Sequence, residues 1–210
     1  DAVTMKAETD GSEAFGNITF VDSGAVDFDS SGSSDGDLNI NASSTNGAVG
    51  GNLSITATTG NITQGIALAV TGTSSFTTSA NNTTITLSNT SNAFTGALTI
   101  TTDDSSGTDS DATIDGGTTA LIIATSTIDG DLTLTSGATA GITDSGNVTV
   151  AGNFVATTDA NSGVINLGTL AVDGTMALVT HNNGAATVVN DAAIEFAAST
   201  VGGALSATAT

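Results

Sequence analysis

The chain has 210 residues, 21 of them acidic against a single Lys or Arg (Lys6), so its formal net charge is −20 and its pI near 4.1. That balance excludes nucleic-acid binding, which needs a basic patch to neutralise phosphates, and disfavours anionic membrane surfaces. With no Cys and no Pro, there is neither a disulfide framework nor a thiolate metal site, and nothing bars strands paired on both edges.

In chain order, apolar residues recur in strict alternation, the period of a half-buried strand. Residues 1–50 show Ile18/Phe20, Val26/Phe28, Leu38/Ile40 and Val49 and are expected to form irregular first coils. From Gly51 the pattern tightens: Leu53/Ile55, Ile62, Leu68/Val70, Phe76 and Ile85/Leu87 follow one another, separated by Gly, Asn, Asp, Ser or Thr. Leu98/Ile100 is followed by the acidic stretch Asp103 to Asp115, after which Leu132, Ile142, Val148/Val150, Phe154, Ile165/Leu167, Met176 and Leu205 continue the series. Only Ala192 to Ser199 could be considered for a helix, and Ile194/Phe196 fit a strand equally well.

A longer repeat underlies the series. Gly51-Asn52-Leu53-Ser54-Ile55-Thr56 returns as Gly130-Asp131-Leu132-Thr133-Leu134-Thr135, an offset of 132 − 53 = 79, and a third copy begins at Gly203. Within it, Leu53, Phe76, Leu98, Leu132, Phe154, Met176 and Leu205 are spaced by 22 or 23 residues in four of six gaps. The two longer gaps are read as inserted loops, and the seven residues as one core row. Repeats of this length stack. The expectation is an all-β, parallel β-helix (β-solenoid) with about 22 residues and three short strands per coil and little or no helix. Irregular coils over 1–50 precede a regular solenoid over 51–210, divided as 51–129, 130–202 and a third unit from 203.

Three chemistries can be weighed on such a scaffold. Asp103, Asp104, Asp109 and Asp111, with Asp115 nearby, crowd one loop, and Asp27, Asp29, Asp35 and Asp37 another. Hard cations such as Ca2+ take six to eight oxygens. The first four residues are therefore the candidate calcium ligands, although the spacing matches neither an EF-hand nor a calcium-binding nonapeptide. No cofactor is required. Catalysis is not expected: a lyase would need a cation beside its substrate, and a glycosidase two carboxylates at a defined separation, for which Glu195 or Asp129 and Asp131 have no evident partner. Sugar-stacking Trp and Tyr are absent. Ser54/Thr56, Thr99/Thr101, Thr133/Thr135 and Ser206/Thr208 would stack as Thr ladders of the kind ice-binding solenoids carry. Val155 and Ala177 interrupt that row, and ordinary β-propensity accounts for the Thr as well.

His181, in His181-Asn182-Asn183-Gly184, reads as a turn residue, and Met5 and Met176 as filler. Eight Asn-x-Ser/Thr sequons, at Asn17, Asn41, Asn52, Asn61, Asn81, Asn82, Asn89 and Asn147, would admit glycans on an exported chain.

From Gly51 to Leu87 the run Gly-x-Leu-x-Ile-Thr, Gly-Asn-Ile-Thr, Leu-x-Val-x-Gly-Thr-x-x-Phe and Asn-Asn-x-x-Ile-x-Leu resembles the repetitive regions of large secreted bacterial proteins of the filamentous haemagglutinin type, and the likeness extends over residues 50–210. The resemblance implies a right-handed coil, export across a Gram-negative outer membrane, and service as a shaft or adhesive surface. Expected partners are flanking solenoid coils or another copy of the chain through the coil ends, and host or surface glycans. Neither nucleic acid nor membrane insertion is expected, and the location is extracellular or on the bacterial cell surface.

Overall fold

A computed structural model describes residues 3–5, 16–29, 38–42, 45–46, 48–102 and 110–210, with side chains over 16–29, 49–102 and 110–210. Every regular element among the described residues is a strand. The chain winds as a parallel β-solenoid of about seven turns, roughly 22 residues apart, as the alternation and spacing predict. Ala192 to Ser199 contributes the short strand Glu195–Phe196 rather than a helix.

Three faces enclose the core. The first stacks Ile18–Asp22, Leu53–Ala57, Ser74–Thr78, Leu98–Thr102, Ser126–Ile128, Val148–Val150 and the end of Ile165–Val172. The second stacks Val26–Phe28, Ile62–Gln64, Ile85–Leu87, Ala112–Asp115, Leu132–Ser136, Phe154–Asn161, Thr175–His181 and Glu195–Phe196. The third begins as Ala48–Val49, Ala69–Val70 and Ala93–Phe94, and resumes as Leu121–Ile123, Ile142–Asp144, the start of Ile165–Val172, Ala186–Asn190 and Leu205–Ala209. Between those two parts Ile123 pairs with Leu98, so the sheet wraps a corner there. In the first fifty residues Ile18–Asp22 already pairs in full register with Leu53–Ala57. Leu38–Ala42 pairs with Val3–Met5 in parallel and with Thr45–Asn46 in antiparallel fashion.

Alternation puts one side chain in two inward, giving buried rows one coil apart. On the second face Val26, Ile62, Ile85, Ala112, Leu132, Phe154 and Met176 succeed one another, all but fully buried. Phe28, Phe76 and Phe94, one from each face, meet in the core edge to face, with centroids 6.1 and 6.0 Å apart in the two contacts Phe28–Phe76 and Phe76–Phe94. Burying a residue of this kind contributes about 1.5–3 kcal/mol, which makes the trio an anchor in a core built mostly from aliphatic side chains.

The stacking register corrects the single row expected from the sequence. Phe76 lies on Ile55 and Ile100, not on Leu53 and Leu98, while Met176 belongs with Leu132 and Phe154 on the second face. Leu53, Leu132 and Leu205 lie on the first, second and third faces respectively. Among the described residues the second copy of the Gly-x-Leu motif, in Leu132–Ser136, comes ten strands after the first, in Leu53–Ala57. Ten is three coils plus one strand, so the second copy arrives one face further round. The wide gap from Leu98 to Leu132 is therefore a coil plus a face. Along the second face the coil holding the acidic stretch advances only from Ile85 to Ala112, a step of 27 residues.

The glycines serve two purposes. Positive φ is adopted by Gly117 and Gly141 (58° and 66°), whereas Gly72 and Gly152 are required by proximity. A Cβ on Gly152 would stand 2.7 Å from the carbonyl oxygen of Gly130, one coil away, and one on Gly72 would stand 2.6 Å from that of Gly51. Backbones pass too closely at these corners for any side chain.

Candidate functional site

The Asn or Asp that follows a corner glycine, or in one coil Ser110, forms a ladder of its own. Asn17 Oδ1 accepts the N–H of Asn52 at 2.8 Å, and Asn52 Oδ1 that of Thr73 at 2.9 Å. On the corner leading into the second face, Asn61 Oδ1 accepts from Thr84 N (2.9 Å), Asp111 Oδ1 from Asp131 N (2.7 Å), Asp131 Oδ1 from Asn153 N (2.6 Å), and Asn153 Oδ1 from Thr175 N (3.0 Å). An Asn or Asp side chain thus supplies the acceptor that a backbone leaving the strand plane cannot.

This geometry divides the eight sequons. Asn17, Asn52 and Asn61 are exposed but hold the next coil through their amide oxygens. Asn81 and Asn82 sit in an exposed turn, with Asn82 at φ 59°. Asn89 is half-buried, its N–H donating to Gln64 Oε1 at 3.2 Å and its Oδ1 accepting Ser91 N at 3.0 Å. Asn147 is exposed beside a groove over the corner between the third and first faces, bordered also by Thr169, Ala171, Val189, Asp191 and Thr210. Asn41 lies in the strand Leu38–Ala42, whose side chains fall outside the described ones.

Of the four candidate calcium ligands, Asp103, Asp104 and Asp109 lie outside the described residues. Asp111 has one carboxylate oxygen committed to Asp131 N–H. Among the described residues no three His, Asp or Glu come close enough together to hold a metal ion. From the other acidic stretch, Asp35 and Asp37 are likewise outside, and Asp27 Oδ1 accepts the Thr63 hydroxyl at 2.9 Å. Asp115, at the end of its second-face strand, has its pKa raised: partial burial is the main cause, the nearby Asp159 adds to it, and the hydrogen bond from Gly117 N–H (2.7 Å) opposes it. Glu195 pairs across from Thr175 in the last second-face strand. Asp129 and Asp131 lie just before the strand Leu132–Ser136, three coils earlier. His181 ends the strand Thr175–His181 opposite Asn161, its carbonyl receiving Ser162 N–H (3.1 Å) and Gly184 N–H (3.0 Å), which is a turn as expected. Among the described residues no helix is long and apolar enough to cross a membrane.

The outward positions are where register changes the picture most. Val155 and Ala177, which seemed to interrupt the Thr ladder, lie on the second face after Thr86, Thr113 and Thr133. The first face carries two outward rows free of them: Thr19, Ser54, Ser75 and Thr99, and beside it Val21, Thr56, Thr77, Thr101, Thr127, Thr149 and Ala171. Ser75, Thr77, Thr127 and Thr149 were not recognisable as members, because only the summed coil lengths place them there.

Residues 15–101 match a family described as repeats of unknown function (DUF5649). The matched segment takes in the strands from Ile18–Asp22 to Leu98–Thr102 and is less than half of the chain. No curated protein and no solved structure matches it. The repeat match and the stacked coils together make this a repeat β-helix protein.

Proposed function

We propose that the chain is a noncatalytic, extracellular structural and adhesive segment of a secreted cell-surface protein, a shaft that presents its strand faces to surface glycans and requires no cofactor. The observation that carries the reading is the stacking of parallel strands on three faces between Ile18 and Ala209, which spends the described sequence on a long surface. A net charge of −20 suits a solvated external surface. The likeness of residues 50–210 to filamentous haemagglutinin-type repeats points the same way. Binding of the full chain to an array of surface glycans tests it: retention of one glycan class above a scrambled-surface background is expected, and silence across the array removes the adhesive half of the proposal.

A second reading, a subunit that stacks end to end in an extracellular fibre, is favoured by one observation. Phe196 and Leu205 continue the buried rows of Met176 and Ala186 yet are 40% and 48% exposed. Another coil, from the same polypeptide or from a second copy, would cover them. Concentration-dependent light scattering separates the two sources, since a monomeric rod at high concentration leaves only the first.

A further inference from the structure

The two outward rows of the first face carry no charge. Twenty-one acidic residues are distributed over the chain, but none occupies either outward row from Thr19 and Val21 to Thr149 and Ala171. The equivalent rows of the second face contain Asp27 and Asp115 as well as Val155 and Ala177. Thr19, Val21, Thr127 and Thr149 are exposed and the rest half-exposed. None of the hydroxyls in the two rows is engaged by another group among the described residues.

Spacing adds a second constraint. From Ile18–Asp22 through Leu98–Thr102 the first-face strands pair five residues against five with no bulge. Hydroxyl-bearing side chains therefore repeat at about 4.8 Å between coils and about 6.7 Å along each strand. Thr is stiff at χ1, so stacked Thr present their methyl and hydroxyl groups in the same orientation from coil to coil. Hexagonal ice has planes on which oxygen atoms repeat at nearly these two intervals. A rigid, neutral array of methyls and hydroxyls can order water in that pattern, whereas a carboxylate would impose its own hydration shell. Each side chain contributes little, but the rigid array engages all of them at once.

We propose that the first face binds ice, with Ser54, Thr56, Ser75, Thr77, Thr99 and Thr101 as the centre of the contact. The inference is independent of whether the shaft also adheres to glycans. The test uses the full chain in an ice recrystallisation assay, with thermal hysteresis measured on single ice crystals. The wild-type protein is expected to halt recrystallisation. The double variant Thr77→Lys/Thr101→Lys should need about tenfold more protein for the same effect, equivalent to about 1.4 kcal/mol of lost binding. Thr133→Lys, the same chemistry on the second face, should match the wild type. Circular dichroism checks folding, and if the Lys pair unfolds the chain, Thr77→Ser/Thr101→Ser removes only the methyls and should still weaken inhibition. A wild-type chain without effect on ice, an equal loss in the second-face variant, or retention on crystalline polysaccharide with no effect on ice would overturn the proposal.

Discussion

Single side chains complete the hydrogen bonding that the coil geometry leaves open. Asn92, 1% exposed, accepts Leu68 N–H at 2.8 Å, donates to Leu87 O and Asp115 O, and meets Gln64 through both of its amide atoms. Asn190, fully buried, accepts Val172 N–H at 2.8 Å and donates to Val172 O at 3.1 Å, occupying the place of a strand where the first face has none. Leaving such groups unpaired would cost about 1–3 kcal/mol each. Asp115 is the opposite case, a carboxylate that the fold disfavours. Its raised pKa means that the folded chain holds the proton more firmly than the unfolded chain does, so its contribution is favourable at low pH and is lost as pH rises through the raised value. Asp115→Asn keeps the Oδ1 acceptor for Gly117 N–H while removing the charge. The melting temperature is expected to rise by about 1 °C at pH 7 and to equal that of the wild type at pH 3. A gain of the same size at both pH values would mean that ionisation is not the cause.

At the scale of a strand and its corner, what matters is how nearly consecutive coils touch. Gly152→Ala would push a Cβ to 2.7 Å from Gly130 O and disrupt the 3.0 Å bond from Gly152 N–H to that oxygen. A loss of about 2–4 kcal/mol is expected in chemical denaturation. Gly168→Ala, whose Cβ would find its nearest neighbour at 4.0 Å, should change stability by no more than about 0.5 kcal/mol. Equal effects would refute close approach as the reason for the corner glycines. Serines serve a related purpose where the ladder slips: Ile100 N–H donates to Ser126 Oγ, which donates to Ala124 O, and Leu178 N–H donates to Ser199 Oγ, which donates to Ala197 O. In both places a hydroxyl relays between two coils across a break in the pairing.

For the whole molecule, stability is a sum over neighbouring coils, opposed by a net charge of −20 with a single Lys in compensation. Self-repulsion of that size is screened as the Debye length shortens to about 8 Å at 0.15 M salt. The melting temperature of the full chain is expected to climb with NaCl from 10 to 150 mM, followed by calorimetry. A flat or falling curve would show that the acids are already spaced beyond mutual influence.

The sequence by itself determined the architecture. Alternation at Leu53/Ile55 or Val148/Val150 requires strands because a pleat sends successive side chains to opposite sides, and the recurrence of about 22 residues requires stacking because no single coil can bury its own face. The Gly-Asn and Gly-Asp pairs marked the corners for the same local reason. Partnership between strands was not legible, since it depends on the accumulated length of every intervening turn. An excess of one face per long repeat carries Leu53, Leu132 and Leu205 to three different faces, and a buried amide such as Asn92 or Asn190 is indistinguishable in sequence from an exposed turn residue. Only the tertiary register could decide that Asp27, Asp115, Val155 and Ala177 belong to the second face, leaving the two outward rows of the first without a charge.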